Sequence, residues 1–405
     1  MTTLTPRDGT EVEQAVRDAL AAGQPLEIVG HGTRRAIGHA VATNAVLDLS
    51  ALNAVVDYEP SELLITVQAG APLADVLSLI DARNQEFAFD PVDTSVLLGT
   101  PQGRGTVGGM IGAGLAGPRR IRAGGVRDHL LGALGVSGFG ESFKAGGKVV
   151  KNVTGYDLCK LLAGSWGTLS VMTEATLKVM PRAESETTLI LPGLDAASAN
   201  RAMTTAVGSP FDVSGAAHLP QASSVLAGSQ GAATLLRLEG TAVSVAHRVG
   251  TLRALLAPFG AVEIIADEAS RPVWQAIRDV APFALSGPLG DRVVWRIACP
   301  PAAGAAIGKG LQRTTGGEVI YDWGGGLIWL AVSAAHDGFE GAVRAPLKAA
   351  GAHATLIRGS EELRSRVPVF EPMEAGVAAL NRRLKASFDP KALFNRGRMS
   401  PEIIA

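Results

Sequence analysis

Three glycine-rich segments have residue types that could hold an anion or a flat ligand. The first, Val29 to Arg35, reads Val-Gly-His-Gly-Thr-Arg-Arg. A strand ending in such glycines can point successive backbone N–H groups at a phosphate, and Arg34 could add a charge-assisted hydrogen bond. A plain surface turn has the same composition, so this segment alone does not decide between the two.

The second segment, Gly105 to Arg120, carries a small residue at nearly every second position, and Arg122 to Asp128 continues it. From Gly99 to Gly147 there are 16 glycines in 49 residues. Backbone without side chains can lie close to a large ligand, although close packing against a helix is an alternative. The third segment comprises Lys151–Leu158 and Ala163–Glu174.

Several chemistries are disfavoured by what the sequence lacks. Neither the P-loop spacing nor the Gly-x-Gly-x-x-Gly spacing between a strand and a helix is present. In the second half, His218, His247, His336 and His353 are not paired at ligand spacing. The two cysteines match no metal or redox motif, so we expect no metal site and no disulfide framework.

Composition indicates a globular protein of two or three domains. The 405 residues include 37 Lys plus Arg against 38 Asp plus Glu, with 47% hydrophobic residues. This balance favours neither nucleic acid nor a direct membrane contact. The first residues lack the pattern of a signal peptide, so we expect a cytoplasmic protein, attached to the inner membrane, if at all, through partners.

The elements that must position these segments can be read from periodicity and caps. A helix is predicted over Thr10–Ala22, with a Thr10–Glu13 capping box and Gly23 at its end. Strands are predicted at Pro25–Val29, Ala45–Leu49 and Leu63–Gln68. A helix follows Pro72, another is predicted near Asp157–Ala163, and a strand near Leu169–Val179 ends at Pro181.

Beyond Arg182 strands alternate with alanine-rich helices, which predicts an antiparallel sheet covered by helices on one face. The predicted strands are Leu189–Leu191, Thr234–Leu238, Val262–Ile265, Val293–Ala298, Leu327–Val332 and Ala354–Ile357. The predicted helices are Ala196–Ala206, Val243–Leu256, Val273–Val280, Ala302–Leu311 and Glu340–Ala349. Asp322, Trp323 and Gly324–Gly326 could line a ligand or a subunit contact, or simply form a turn; Trp274 and Trp295 are expected in the core.

The order of these segments resembles the PCMH-type FAD-binding domain of the vanillyl-alcohol-oxidase superfamily, most closely the FAD-binding E subunits of bacterial glycolate oxidases. The motifs that carry the likeness are Leu47–Asn53, Asp57–Leu63, Val67–Leu73, Thr106–Gly109, Gly117–Arg120, Val126–Asp128, Lys151–Asp157 and Gly164–Leu169. The resemblance implies an α+β protein: a PCMH-type fold of two α+β subdomains, then an α+β cap domain with a mainly antiparallel sheet. Its boundaries would be residues 1–182 for FAD binding, 183–370 for the cap, and 371–405 for a tail returning to the FAD domain.

The resemblance also implies which residues contact the cofactor. They are Gly30, His31, Gly32, Thr33, Arg34, Thr106, Gly108, Gly109, Gly112, Gly114, Gly117, Arg119, Gly124, Asp128, Gly155, Tyr156, Gly167, Thr168, Val171 and Thr173. Relatives with covalent flavin carry a histidine where this chain has Thr33, so the FAD is expected to be non-covalent. The tail reads Asn-Arg-Gly-Arg where relatives usually have Asn-Pro-Gly-Arg.

The function implied is that of the FAD-binding subunit of a glycolate oxidase or dehydrogenase complex, which oxidises glycolate to glyoxylate. Its partners would be a D-type flavoprotein subunit that takes hydride from the 2-hydroxy acid, and an iron–sulfur F-type subunit. One alternative is a stand-alone FAD-dependent 2-hydroxy-acid dehydrogenase, for which Lys151, Arg119, Arg127 or Tyr321 could supply polar groups. Another is a structural subunit without flavin.

Overall fold

The computed structural model describes residues 2–148, 156–220 and 231–401. Two small α+β units form its first part. The bounds of their strands are β1 Thr2–Leu4, β2 Glu27–Val29, β3 Ala45–Asp48, β4 Val55–Glu59, β5 Leu64–Gln68, β6 Gln85–Glu86, β7 Leu130–Val136, β8 Ser142–Gly146, β9 Val171–Lys178 and β10 Met180–Pro181. The helices are α1 Gly9–Ala22, α2 Leu73–Asp81, α3 Ser95–Leu98, α4 Val107–Ala113, α5 Arg120–Ala123, α6 Val126–His129 and α7 Cys159–Leu162.

In the first unit, β1, β3 and β2 form a parallel sheet beside α1. The helix begins at Gly9, because Asp8 is its cap and accepts a hydrogen bond of 2.9 Å from the backbone N–H of Glu11. The predicted Thr10–Glu13 capping box is therefore wrong, since an aspartate two residues earlier takes the capping position. The predicted end at Gly23 is confirmed, with φ of 61°.

In the second unit, five antiparallel strands lie in the order β4-β5-β9-β7-β8. The apolar sides of α2 and α4 pack on this sheet through Val76, Ile80, Met110 and Ile111. The helix predicted near Asp157–Ala163 is shorter, a single turn at α7.

An eight-stranded sheet forms the second part of the chain. Its strands are β11 Ser185–Pro192, β12 Gly215–Leu219, β13 Ala233–Gly240, β14 Glu263–Ala266, β15 Val293–Ala298, β16 Glu318–Asp322, β17 Leu327–Val332 and β18 His353–Arg358. The helices are α8 Ala196–Val207, α9 Ala242–Leu256, α10 Asp267–Arg278, α11 Gly304–Thr315, α12 Glu340–Ala349, α13 Glu361–Arg366 and α14 Ala375–Phe388. The order is β14-β11-β13-β12-β16-β17-β15-β18, and every pair is antiparallel, as predicted.

The two faces of this sheet have different neighbours. Helices α8, α9, α11 and α12 cover one face, through residues such as Met203, Leu252 and Leu311. The other face packs on α10 and on the first part of the chain, where Trp274 and Trp329 share a core with Ala113. The expected core positions of Trp274 and Trp295 are confirmed. Two strands, β12 and β16, were not predicted.

After α14 the chain returns to the first unit. Phe394 forms a β-bridge with Leu26 and packs in the same core as Val12 and Leu47. In the parts of the chain described here, no helix combines the length and hydropathy needed to span a bilayer.

Candidate functional site

A cleft of about 860 Å³, partly open to solvent, lies between the loop after β2, helix α4, the turn before β9 and the C-terminal tail. Ten residues predicted to contact the cofactor line it together: Gly30, His31, Gly32, Thr33, Arg34, Thr106, Gly108, Gly109, Gly112 and Gly167. Sequence segments more than 100 residues apart thus meet around one cavity.

The loop after β2 presents backbone donors to this cleft. No acceptor in the described parts of the chain takes a hydrogen bond from the N–H groups of residues 30–34, whereas the next N–H, of Arg35, donates to the Gly32 carbonyl. Gly32 has φ of 70°, which lets successive N–H groups converge as in an anion-binding nest. This arrangement suits a phosphate.

Helix α4 packs closely against the loop after β2 but offers the cleft few backbone hydrogen-bond donors. Its first N–H groups already have partners: Val107 donates to Ala71, Gly108 to Ala69, and Gly109 to the Thr106 hydroxyl. A Cβ atom on Gly30 would lie 2.6 Å from Thr106 Oγ1, so the loop and the helix can touch only because Gly30 has no side chain. The two walls are therefore held close together.

Arg34 is a buried cation at this junction. Its Nη2 donates to the Val92 carbonyl at 2.9 Å, but its Nε is buried and has no partner among the described residues. Burial lowers the pKa of Arg34, and the charge of Asp93 only partly opposes this. A buried guanidinium that is incompletely paired favours a bound anion.

A second buried arginine comes from the tail and was not predicted as a site residue. Arg398 Nη2 donates to the Arg34 carbonyl at 2.7 Å, while its Nε is unpartnered among the described residues. Burial lowers the pKa of Arg398 to about 10. The nearest carboxylate, Glu27, lies 3.9 Å from Nη1 and is already paired with Arg35.

Asn395 joins two walls of the cleft. Its Oδ1 accepts from the Ile28 N–H at 2.8 Å, and its Nδ2 donates to the Trp166 carbonyl at 2.7 Å. Its own backbone N–H donates to the Leu26 carbonyl. The sequence signal for this role was the tail motif, which keeps Asn395 and Arg398 although Arg396 replaces the usual proline.

Other predicted contact residues lie outside the lining of the cleft. Gly114 packs on Gly164, the Gly117 carbonyl accepts from Trp323 Nε1 at 2.9 Å, and Arg119 pairs with Glu86 and Glu239 at 3.0 and 2.6 Å. Gly124 lies against Asp128, whose carboxylate accepts from the Gly125 N–H. Gly117 and Arg119 thus belong to the contact between the two parts of the chain, Gly124 and Asp128 lie at the start of α6, and Gly114 packs within the first part.

The remaining predicted contact residues lie in the third segment. Thr168 lines a neighbouring pocket beside the tail, Val171 is fully buried in the core, and the Thr173 carbonyl accepts from the Ala69 N–H. Tyr156 is 92% exposed. Gly155 lies outside the described residues, and contact of all these residues with FAD stays a prediction.

The cleft offers little for acid–base chemistry on a substrate. Among the described residues that line it, the titratable ones are His31, Arg34, Arg35 and Arg398. His31 Nδ1 lies 2.8 Å from the Arg104 carbonyl, so one ring nitrogen is already engaged. No carboxylate faces the cleft from the described part of the chain.

The groups considered for a stand-alone dehydrogenase are not in the described lining either. Arg119 is ion-paired elsewhere, Arg127 is exposed, and Tyr321 is buried in the core on the helix-covered face of the large sheet. Lys151 lies outside the described residues. Within those residues, no group of three His, Cys, Asp or Glu side chains could hold a metal.

Comparison with known proteins agrees with this geometry. A family model described as an FAD binding domain matches residues 2–146. Glycolate oxidase subunit GlcE of Escherichia coli K12 is 31% identical over 97% of this chain and 96% of its own length. Glycolate oxidase subunit GlcD of Bacillus subtilis is 29% identical over 46% of this chain and 38% of its own length.

A solved structure has the same fold. The 4-ethylphenol oxidase from Gulosibacter chungangensis superimposes with a TM-score of 0.74 over 98% of this chain and 88% of its own, at 14% identity. The fold is thus that of PCMH-type FAD-binding oxidoreductases. Within that class, the chain belongs to the glycolate oxidase GlcE family of FAD-binding subunits.

Proposed function

We propose that this chain holds one FAD non-covalently, as the FAD-binding subunit of a complex that oxidises glycolate to glyoxylate. The observation that carries the proposal is that, among the residues the structure describes, the five N–H groups of residues 30–34 have no acceptor and the guanidiniums of Arg34 and Arg398 beside them are incompletely paired. Such donors match the two negative charges of a dinucleotide diphosphate.

The chain's own residues would bind and orient the cofactor. Residues 30–34 and the two arginines hold the diphosphate, while Asn395 fixes the separation of the walls formed by Ile28 and Trp166. When bound, FAD supplies the capacity to accept and pass on electrons. The protein contributes position, electrostatics and exclusion of water.

The loop after β2 supports non-covalent attachment of FAD. In relatives with covalently bound flavin, this loop carries a histidine at its end. Thr33 stands there, and the aliphatic hydroxyl of a threonine is a weak nucleophile unless a neighbouring base activates it. The nearby His31 has its Nδ1 against the Arg104 carbonyl. Acid precipitation of the purified protein should release all of the yellow colour into the supernatant, whereas colour in the pellet would refute this part.

The division of labour in the proposed complex follows from the described lining of the cleft, in which no carboxylate is placed to act as a base. A D-type flavoprotein partner would bind the 2-hydroxy acid and take its hydride, and an iron–sulfur F-type partner would receive electrons. The relatives named GlcE and GlcD, both glycolate oxidase subunits, support an assembly of this kind. We place it in the cytoplasm, with any contact to the inner membrane made through the partners.

Glycolate-dependent dye reduction tests this proposal. The isolated, FAD-loaded chain should give no turnover, while the chain co-purified with D-type and F-type subunits should be active. A complex carrying Arg34→Met should bind FAD more weakly on this chain and transfer fewer electrons to the dye at limiting FAD. Arg122→Gln, at an exposed ion pair, is the matched control. Robust turnover by the isolated chain would instead support the stand-alone dehydrogenase.

A further inference from the structure

Helix α14, Ala375–Phe388, differs from the other long helices because none of its residues is buried. Each of the other helices of eight or more residues in the described ranges buries at least three. A helix of this length is marginal on its own in water, and most helices in proteins are stabilised by packing of an apolar face. The chain therefore leaves α14 without the packing that its other long helices have.

An apolar stripe on α14 is open to solvent. Val377, Leu380 and Leu384 follow one another at spacings of three and four residues, which places their side chains on one side of a helix. Val377 is 52% exposed and Leu380 is 61% exposed, while Leu384 is half-buried. Burial of such side chains against another surface is favourable, so the stripe can stabilise contact with a second molecule.

The C-terminal end of α14 is firmly held on the protein. Lys385 Nζ donates to the Thr168 carbonyl and, at 2.6 Å, to Asp389 Oδ2. The Asp389 carboxylate in turn accepts from the backbone N–H groups of Leu393 and Phe394 at 2.9 and 2.8 Å. Because these hydrogen bonds fix the base of the helix, the exposed stripe has a defined position on the surface.

This base lies beside the FAD cleft. A smaller cavity between α14 and the C-terminal tail is lined by Met373, Asn381 and Lys385. Asn395 and Arg398 line both this cavity and the cleft. A protein seated on α14 would therefore lie next to residues that form one wall of the cleft.

The surface around the stripe is positively charged, although the whole chain has a net charge of −1. Residues 375–400 contain six Lys or Arg and a single carboxylate, Asp389, which is buried and paired with Lys385. Arg382 and Arg383 are exposed, and their guanidinium groups form no hydrogen bond or ion pair with a described residue. Helices α1, α10, α12 and α13 instead each carry an ion pair between residues four apart. The cations of α14 are thus available to carboxylates of another molecule.

We propose that Val377, Leu380, Arg382 and Arg383 form a docking surface for a partner subunit whose own face is acidic around an apolar centre. The inference rests on the proposed function for the existence of that partner and adds the place where it binds. Val377 and Leu380 become buried in the contact, and the two arginines pair with carboxylates of the partner. An apolar centre with a polar rim is the usual arrangement of a protein interface.

An anionic membrane would also attract these cations, but the side chains of α14 favour a protein. Membrane-surface helices bury a large apolar face that is rich in aromatic residues and leucine. Phe388, the one aromatic residue of α14, is half-buried and packs on Phe143, with 6.1 Å between the ring centroids. Val377 and Leu380 form a patch that is small for a membrane, whereas a few central apolar contacts carry much of the binding energy in protein interfaces.

Binding of the purified D-type and F-type subunits to the immobilised, FAD-loaded chain tests the docking surface. Leu380→Asp should weaken this binding by about tenfold or more, because it places an unpaired charge in an apolar contact. The matched control is Val243→Asp on α9, since Val243 is 85% exposed and lies outside the docking surface. Biolayer interferometry measures the dissociation constants.

The charges are tested by a double variant, Arg382→Glu with Arg383→Glu. Affinity of the wild-type chain should fall as the salt concentration rises, because exposed charges are screened. The double variant should bind more weakly at low salt and should lose most of this salt dependence. Arg253→Glu with Arg313→Glu, on the exposed sides of α9 and α11, changes the net charge equally and should bind like the wild type.

The remaining outcomes separate the docking surface from the proposed complex. FAD titration of Leu380→Asp should match the wild type, which shows that the fold and the cleft are intact. Unchanged partner affinity in Leu380→Asp and in the double variant would overturn the docking surface alone, whereas a wild-type chain that binds neither subunit would overturn both proposals. If the same variants instead abolish binding to phosphatidylglycerol vesicles, or abolish self-association, the surface belongs to a membrane or to a second copy and the proposal is wrong.

Discussion

The Arg398 guanidinium donates a hydrogen bond of 2.7 Å to the backbone carbonyl of Arg34, across 364 residues of sequence. The C-terminal tail thereby contacts the loop after β2, which forms one wall of the cleft. Because Asn395 is fastened to the same unit through Ile28, the cleft is complete only when both ends of the chain are folded together.

Arg34→Met should weaken FAD binding by about ten- to a hundredfold, because it removes charge-assisted donors from the diphosphate site. The free energy of unfolding without FAD should change by no more than about 1 kcal/mol, since the lost bond to Val92 is offset by removal of a buried charge. Fluorescence titration with FAD and urea unfolding measure the two effects. Unchanged FAD affinity, with Arg122→Gln as control, would contradict the assigned role.

Asn395→Ala should destabilise the protein by about 1–3 kcal/mol even without FAD, because the buried Ile28 N–H and Trp166 carbonyl lose their partner. Urea unfolding at constant pH measures this. Asn381→Ala, on the more exposed helix α14, should cost much less. If the two variants are equally stable, Asn395 does not hold the two walls.

Gly108→Ala should destabilise the protein by about 1–3 kcal/mol through overpacking, because the new Cβ would lie 2.9 Å from both the Cβ and the carbonyl oxygen of Ala69. Gly310→Ala, in α11, meets no atom within 4 Å and should be neutral or slightly stabilising. Denaturant midpoints compare the pair. A stable Gly108→Ala protein with full FAD affinity would show that this close approach is dispensable.

The protein should lose folding stability in mild acid because of His218. Burial lowers its pKa to about 4, while the unfolded chain binds a proton near pH 6.5. Between these values the unfolded state holds more protons, so stability falls as pH decreases, by at most about 1.4 kcal/mol per pH unit. His218→Gln should flatten the unfolding profile between pH 6.5 and 4, whereas His247→Gln on the surface should not.

The sequence predicted those features that depend on local chemistry. Gly23 ends α1 as expected, and the alternation beyond Arg182 predicted the antiparallel sheet. Strand β12, Gly-Ala-Ala-His-Leu, was missed because small residues on both sides of a buried central strand produce no alternating pattern. Its strand character comes from its neighbours β13 and β16.

The cleft was predicted in part, through the glycines that permit close approach. Arg398 and Asn395 were missed as cleft residues, although the tail motif was recognised, because the motif does not show that its side chains reach Arg34 and Ile28 in the first unit. In the second segment, Arg119 forms ion pairs with Glu86 and Glu239 in the contact between the two parts, and its predicted contact with FAD stays a prediction. A glycine-rich run does not indicate which of its residues face a ligand.

Competitive titration tests most directly whether a diphosphate is held by the buried arginines and by the N–H groups of residues 30–34, which have no acceptor in the described part of the chain. FAD should bind the purified chain with a stoichiometry of one, and Arg34→Met should weaken it. Riboflavin, which has the same ring system but no phosphate, should fail to compete at concentrations that saturate with FAD. A protein that stays colourless after FAD is supplied, or that binds riboflavin as tightly as FAD, would contradict the account.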